Sequence, residues 1–347
     1  MNLALISSPR FAEHTPPPGH PERPERAEVL DAVAAQWRER GATIHEPVAA
    51  EMDHLLRVHS ADYLASLHAT AGSARMLDPD TFTSPESWDI ACLAAGAVLQ
   101  AGRLVLAGPA TRSAALVRPP GHHALPDRAM GFCLINNVAV AAADFLAQGI
   151  DRIAVVDVDV HHGNGTQTLF EGSPHVLYIS THQWPLFPGT GAVEDVGTGD
   201  GAGFTVNIPL PPWCVDRDYD LVFTEIVVPV LREFNPGVLL VSAGFDAHQR
   251  DPLARMRLTA RAFQTMARRL VEVADACCGG RLVLATEGGY ELPAMAASLT
   301  AMLGEMAGIV VPIPDDEEPE PDPETTGRVR AVVNRVRRVQ SAFWRGL

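Results

Sequence analysis

Short apolar runs alternate with longer segments of helical periodicity along most of the chain, and no other feature restricts its fold as strongly. Several runs are mainly apolar and show no alternation with polar residues, as is typical of parallel strands that helices cover on both faces. Strands are predicted at 3–7, 114–118, 153–158, 175–180, 203–208, 238–243 and 281–286. Helices are predicted at 24–39, 88–106, 136–148, 216–234, 259–276 and 292–307. This alternation predicts an α/β fold, a three-layer αβα sandwich around a central, mainly parallel sheet.

The chain is acidic. Its 347 residues include 42 acidic and 27 basic side chains, a formal net charge of -15. An acidic surface does not displace the counterions of nucleic acids, so no nucleic-acid partner is expected. The charge is compatible with cationic substrates such as lysine-rich tails or polyamines, although the simpler interpretation is that it keeps the protein soluble.

The N-terminus lacks the basic region and the small-residue cleavage site of a secretory signal. Because no run of about 18 apolar residues is found, no membrane span is expected. The five cysteines show no CxxC spacing, as expected for thiols in a reducing compartment. These patterns predict a cytoplasmic protein.

The C-terminal part of the chain differs in composition from the rest. Residues 1–311 are predicted to form one domain, and 312–327, rich in proline and acidic residues, a solvated linker. Residues 328–347 regain helical periodicity, with valines along one stripe and arginines elsewhere. The arginines are compatible with membrane or partner binding, but a helix that packs its valines back on the domain is the preferred interpretation.

The densest polar cluster is the run DVDVHHGNG, which follows one predicted strand. In an extended segment residues two apart point to the same side, so Asp157, Asp159 and His161 are expected to project together. Carboxylate and imidazole groups can hold one divalent metal, and with an open position they suit catalytic zinc. Helix-capping aspartates are the alternative, but a cap accounts for only one of the two.

Polar residues follow three other predicted strands. Asp246 is a candidate third metal ligand, although an aspartate after a strand is also typical of a helix cap. His122 and His123, after a Pro-Pro-Gly turn, are candidate proton shuttles, with a purely structural pair as the alternative. Tyr290 follows two glycines and is suited to donating a hydrogen bond to an oxyanion. Since ligands bind beyond the carboxyl ends of parallel strands, these clusters are predicted to converge.

Six motifs, RPPGHH, GFC, DVDVHHGNGT, FPGTG, SAGFD and EGGY, occur in this order within residues 14–300. The ordered set resembles the histone deacetylase-like amidohydrolases. HPERPER near the N-terminus is similar to the bacterial and class II branch, to which the acetylpolyamine amidohydrolases are related. The resemblance implies the arginase/deacetylase fold for residues 1–311 and hydrolysis of an N-acylated amine.

The resemblance also implies one zinc ion per chain and the groups that act around it. The zinc ligands would be Asp159, His161 and Asp246. The groups that act in the reaction would be His122, His123, Tyr290, Asp157 and Asn164. Asn164 stands where class I relatives have aspartate, so His123 would have a neutral partner.

Further roles follow from the same resemblance. Substrate would contact Gly131, Phe132, Phe187, Leu253 and Gly288. Structural potassium would be held by Asp157, Asp159, His161, Ser180 and Thr181 and, at a second site, by Phe170, Ser173, Val176 and Phe204. Arg26 would line an internal channel for the acid product.

The activity implied is deacylation of Nε-acyl-lysine in peptides or proteins, with hydrolysis of acetylated polyamines as the alternative. Polyamine-selective relatives carry a glutamate where this chain has Leu253, and loop 11–22 is too short for the insertion of dimeric acetylpolyamine hydrolases, so acyl-lysine is expected. An inactive acyl-lysine binding module would lack a metal ligand or Tyr290, and a binuclear manganese ureohydrolase would need more carboxylates. A homo-oligomer is left open.

Overall fold

The central element of the computed structural model, which describes residues 2–108, 110–313 and 317–347, is a sheet of eight strands in the order β2-β1-β5-β10-β9-β6-β7-β8. All neighbouring strands of this sheet are parallel. The strands are β1 (Leu3–Ile6), β2 (Thr43–His45), β5 (Arg112–Ala115), β6 (Ile153–Asp157), β7 (Val176–Gln183), β8 (Thr205–Leu210), β9 (Val238–Ala243) and β10 (Leu282–Thr286). A separate antiparallel hairpin pairs β3 (Arg75–Met76) with β4 (Phe82–Thr83).

Helices cover both faces of the sheet. They are α1 (Glu25–Glu39), α2 (Met52–Leu55), α3 (Ala61–His68), α4 (Ser87–Leu106), α5 (Asn137–Ala147), α6 (Asn164–Phe170), α7 (Asp216–Val222), α8 (Val228–Phe234), α9 (Ala260–Cys278), α10 (Leu292–Ala307) and α11 (Pro323–Gln340). A π-helical stretch, Phe223–Val227, joins α7 to α8.

The two faces of the sheet bury separate apolar clusters. Along β6, Ala154 and Val156 belong to the cluster under α1 and α7–α11. Their neighbours Ile153 and Val155 point to the opposite cluster, under α4 and α5. Strands buried on both faces have no polar alternation, which is why they appear in the sequence as continuous apolar runs. The three-layer αβα fold predicted from the sequence is confirmed.

Several element boundaries differ from the sequence predictions. The edge strand β2 and the short helices α2, α3 and α6 were not predicted. Strand β2 left no apolar pattern because it has three residues and none of its side chains is fully buried. The predicted strand 114–118 is shifted to Arg112–Ala115, and β7 extends to Gln183.

The C-terminal helix begins earlier than predicted. It starts at Pro323 rather than 328, because Asp322 accepts hydrogen bonds from the amide and hydroxyl of Thr325 and so caps the first turn. The predicted linker therefore ends at Asp322, and its residues 314–316 lie outside the described part. Val329, Val333 and Val336 are buried against the core.

Helix α4 meets the length and mean hydropathy of a membrane span, 20 residues with a mean hydropathy of 1.5. However, 72% of its apolar window is buried inside the molecule. It packs on α5 and on strands β5 and β10, so its apolar surface belongs to the core.

Candidate active site

The carboxyl ends of β6, β9 and β10 lie side by side, since these strands are neighbours in the sheet. Asp157, the last residue of β6, is in register with Ser242 of β9. In turn, Ala243 of β9 is in register with Thr286 of β10. The segments that follow the three strands therefore emerge at one edge, where ligands bind in parallel α/β sheets.

Asp159, His161 and Asp246 converge beyond this edge. His161 Nδ1 lies 3.2 Å from Asp159 Oδ1 and 3.1 Å from Asp246 Oδ2. Potential ligand atoms of the three residues all lie within 4.8 Å of one another. Both carboxylates are buried, each 1% exposed. Two carboxylates and one imidazole around a common point form a donor set that suits zinc.

Backbone amides fix the orientation of these carboxylates. Asp159 Oδ1 accepts a hydrogen bond from the amide of His161 at 2.9 Å, and Asp246 Oδ1 accepts one from the amide of Val160 at 3.0 Å. Asp157 Oδ1 likewise accepts one from the amide of Asp159 at 3.1 Å. Three consecutive amides after β6 thus hold the three carboxylates in place.

Glycines leave room for the carboxylate oxygens. A Cβ atom at Gly288 would lie 2.4 Å from Asp246 Oδ2 and 2.7 Å from Asp159 Oδ2, and one at Gly244 would lie 2.0 Å from Asp159 Oδ2. The amide of Gly288 instead donates to Asp159 Oδ2 at 2.9 Å. The donor chemistry and the burial of the three residues therefore fit one divalent cation such as zinc.

The charges of the cluster favour a cation. Burial raises the pKa of Asp246 to about 7, and the neighbouring Asp159 carboxylate adds to the rise. Burial alone would lower the pKa of His161, but hydrogen bonds to Asp159 and Asp246 raise it to about 10. These groups hold protons where a metal would supply positive charge, so metal binding would release protons.

The tandem histidines lie next to this cluster and have opposite partners. His122 Nδ1 is 3.0 Å from Asp157 Oδ2, which also accepts a hydrogen bond from the Tyr178 hydroxyl. Burial opposes the charge on His122, but Asp157 and Asp159 raise its pKa to about 10. The contact with Asp157 therefore favours the protonated form of His122.

His123 Nδ1, in contrast, lies 2.8 Å from the amide oxygen of Asn164. Burial and the positive neighbours His122 and His161 hold the pKa of His123 well below its usual range. A neutral His123 that donates from Nδ1 to an oxygen has an unprotonated Nε2. The two histidines are thus chemically distinct, and His123 Nε2 can accept a proton.

A pocket of about 200 Å³ opens above these groups. Its lining includes all five residues predicted to contact substrate: Gly131, Phe132, Phe187, Leu253 and Gly288. A Cβ at Gly131 would lie 2.6 Å from the His123 ring and 2.9 Å from the Phe187 ring. Aromatic walls and a polar floor suit an apolar chain that ends in a polar group.

Tyr290 lines the same pocket and is 8% exposed. Its amide donates to Asp251 Oδ2 at 2.7 Å, and its ring lies edge-on to Phe132 at 5.8 Å. Burial raises the pKa of the phenol well above its usual range, which the Arg26 guanidinium partly offsets. Tyr290 therefore stays protonated and can donate a hydrogen bond.

Arg26 lies behind Tyr290, with its guanidinium carbon 5.1 Å from the centre of the tyrosine ring. It donates to the carbonyls of Glu287 and Gly289 and to Glu22 Oε1. Arg118 donates to the same Glu22 oxygen at 2.6 Å. Two buried arginines therefore share one buried carboxylate next to the pocket.

Of the residues predicted to hold potassium, Ser180 and Thr181 belong to β7, the strand next to β6, while Asp157, Asp159 and His161 belong to the end of β6 and the segment after it. Thr181 Oγ1 donates to the carbonyl of Asp157, and Ser180 Oγ is 2.9 Å from His182 Nδ1. The second predicted set lies around the start of β7, with the amide of Ser173 bonded to the carbonyl of Phe170 and the amide of Tyr178 to that of Phe204. Val176 begins β7.

Some residues of the site were missed in the sequence. Asp80 and Leu186 line the pocket, Asp251 holds the Tyr290 amide, and Glu287 bonds the histidine loop. Glu287 belongs to the EGGY motif, so the motif pointed to this residue, but no role was assigned to it. Asp80 carried no signal, because a polar residue in a loop of the hairpin β3–β4 is typical of any surface.

A group of potential metal ligands, two histidines with unlike partners and a tyrosine hydroxyl surround one pocket, an arrangement typical of the class of hydrolases. The model of one family, described as the histone deacetylase domain, matches residues 20–306. The chain belongs to this family, whose members are hydrolases and generally zinc-dependent.

Individual relatives agree with this assignment. A probable deacetylase of Archaeoglobus fulgidus is 39% identical and covers 99% of both chains. A histone deacetylase-like amidohydrolase of Pseudomonas aeruginosa is 41% identical over 84% of this chain and 78% of its own length. The crystal structure of the HDA15 HD domain superposes with a TM-score of 0.91 at 34% identity, covering 99% of this chain and 95% of the other.

Proposed function

We propose that this chain is a zinc-dependent deacylase that removes a short acyl group from Nε-acyl-lysine in peptides or proteins. The observation that carries the proposal is the pair of unlike histidines between a metal cluster and an aromatic pocket. Zinc held by Asp159, His161 and Asp246 would polarise the amide carbonyl and acidify water.

Each protein group then has a role that its surroundings support. His123, neutral with a free Nε2, accepts the proton of the attacking water and passes it to the leaving amine. His122, charged against Asp157, stabilises negative charge in the transition state. The Tyr290 hydroxyl donates to the oxyanion. The products are a free amine and a short carboxylate, and Arg26 behind Tyr290 is suited to receive the latter.

We also propose potassium at the two sets of residues around β7. The carbonyl of Asp157 and the hydroxyls of Ser180 and Thr181 are hard oxygen donors, which suit such an ion. Asp157 is two residues from Asp159 and accepts a hydrogen bond from its amide, so a cation bound at the Asp157 carbonyl would stabilise the nearby buried carboxylates.

One observation favours a second candidate, hydrolysis of acetylated polyamines. Leu253 places no charge at the pocket, but Asp80, a residue with a carboxylate, also lines it. Thr81 Oγ1 donates to Asp80 Oδ1 at 3.1 Å, and the backbone carbonyl of Asp80 is 3.1 Å from His20 Nε2. A carboxylate here can meet either a peptide amide or the second ammonium of a polyamine.

The test is a comparison of kcat/KM for acetyl-lysine peptides, acetylspermidine and acetylputrescine, with metal content measured in parallel. We expect the peptides to be preferred, one zinc per chain, and loss of zinc and activity in Asp246→Ala. Leu253→Glu should shift the ratio towards polyamines. A tenfold preference of the wild type for polyamines would establish the second candidate instead, and full activity after exhaustive chelation would exclude both.

A further inference from the structure

Glu287 is a fully buried carboxylate beside the tandem histidines that has no part in the reaction described above. It follows β10 directly, and its amide donates to the carbonyl of Ala243 at the end of β9. Its own carbonyl accepts a hydrogen bond from Arg26. The backbone of Glu287 is therefore fixed on both sides, and its side chain projects from a rigid point.

The side chain bonds the loop that carries the histidines. Glu287 Oε2 accepts hydrogen bonds from the amides of Gly121 at 2.6 Å and His122 at 3.2 Å. The other oxygen, Oε1, accepts one from the Ser242 hydroxyl at 3.1 Å. One carboxylate thus joins the ends of β9 and β10 to the segment between β5 and α5.

That segment needs such an anchor. Residues 116–123 form no helix or strand. The amides of Leu116 and Val117 donate to Ile6 of β1 and Thr286 of β10, so the amides after the two prolines are the ones that need another acceptor. A Cβ at Gly121 would lie 2.5 Å from the amide of Asn137, which shows how closely the loop is packed. The carboxylate of Glu287 accepts from two consecutive amides at the point where the histidines begin.

We propose that Glu287 is a positioning residue for the proposed deacylation: it fixes the backbone of residues 121–122 so that the rings of His122 and His123 reach the substrate carbonyl above the metal cluster. The inference rests on the proposed function only for the identity of the substrate. A displacement of about 1 Å in such a group can cost roughly 10²-fold in rate. Loss of this anchor should therefore lower kcat while leaving the aromatic pocket intact.

Metal binding is the alternative role for Glu287, because potential ligand atoms of Glu287, His122 and Cys133 lie within 4.8 Å of one another. Its two oxygens, however, already accept three hydrogen bonds from Gly121, His122 and Ser242. The Cys133 thiol in turn donates to the carbonyl of Gly131 at 3.3 Å. The contacts favour an anchor.

Two variants separate position from charge. Glu287→Gln retains a carbonyl oxygen for both amides, and its NH₂ group can donate to Ser242 Oγ, so the anchor survives without the charge. Glu287→Ala removes the anchor. With the best N-acyl substrate of the wild type, we expect kcat of Glu287→Gln within about threefold of wild type, and a loss of about 100-fold in Glu287→Ala with KM nearly unchanged.

A second measurement does not depend on activity. In ¹⁵N spectra of the imidazoles of the metal-free protein, the wild type and Glu287→Gln should show His123 protonated at Nδ1, as its contact with Asn164 requires. Glu287→Ala should show a mixture of tautomers. Wild-type spectra and kcat in Glu287→Ala would overturn the proposal, as would equal losses in both variants, which would assign the effect to charge.

Asp216 provides a matched control. It is the first residue of α7, and its carboxylate accepts two hydrogen bonds from Thr259, one from the amide and one from the hydroxyl. Asp216→Ala should lower thermal stability without changing kcat or the ¹⁵N spectra. If Glu287→Ala behaved like this control, its role would be purely structural. If the wild type hydrolysed no acyl-lysine, the proposed function would fail, while the spectra would still test the anchor.

Discussion

At the scale of single residues, the site depends on differences between chemically similar groups. His122 and His123 are adjacent, yet one faces a carboxylate and the other an amide oxygen. Asp159 and Asp246 are both buried, yet only the pKa of Asp246 is raised. Opposite shifts in neighbouring groups are typical of sites that transfer protons.

The histidines should therefore respond differently to removal. His123→Ala should nearly eliminate turnover, because it deletes the proton acceptor, while His122→Ala should retain more activity. Single-turnover rates of both variants with equal metal content would measure this. Equal and mild losses would show that neither histidine is the base.

Tyr290→Phe removes only a hydroxyl from a ring packed against Phe132 and Arg26. Folding and metal content should persist, while turnover falls by about two to three orders of magnitude through loss of one oxyanion donor. Circular dichroism and metal analysis serve as controls for the kinetic measurement. An unchanged turnover would assign Tyr290 a packing role only.

At the scale of elements, short polar contacts connect segments distant in sequence. His59, between α2 and α3, accepts a hydrogen bond at Nε2 from the amide of Asn136, the residue that caps α5. Its Nδ1 lies 2.9 Å from the carbonyl of Leu125 and donates to it. Both ring nitrogens are thus occupied in the neutral form, and burial lowers the pKa of His59 to about 4.

This histidine should make stability depend on pH. Between about pH 6.5 and 4 the unfolded chain takes up a proton at His59 and the folded chain does not, so its contribution is complete above pH 6.5 and declines as pH falls. From pH 7 to 5 the free energy of unfolding should fall by about 2 kcal/mol more in the wild type than in His59→Gln, which cannot titrate. Urea denaturation at both pH values measures the difference, and identical slopes would contradict it.

The elements themselves were largely predictable, and the reasons are visible in individual cases. Every residue of strand β9 except Ser242 is apolar because both of its faces are buried, whereas β2 lies at the edge with exposed or half-buried side chains and left no pattern. The metal ligands and histidines follow strands and have distinctive chemistry. Asp80 and Glu287 were not assigned roles, because tertiary contacts alone bring them to the site.

At the scale of the whole molecule, the net charge of -15 should attract cationic peptides to the protein. For a lysine-rich acyl peptide, kcat/KM should decrease as ionic strength rises from 20 to about 500 mM, because salt screens long-range attraction. A neutral acyl peptide of equal length should show little dependence. Equal salt dependence of both peptides would contradict electrostatic steering.

The position of β10 in the sheet has a consequence for synthesis. Residues 282–286 insert between β5 and β9, so a nascent chain that has not yet reached them has two partial sheets with a gap between them. In such a chain Asp246 is already present, but Glu287, Gly288 and Tyr290 have not been synthesised. Because β10 is synthesised late, the stabilisation that comes from its pairing with β5 and β9 also comes late. A ribosome that stalled before this point would therefore release a chain without hydrolytic activity and with two unpaired strand edges, a substrate for chaperones rather than a smaller enzyme.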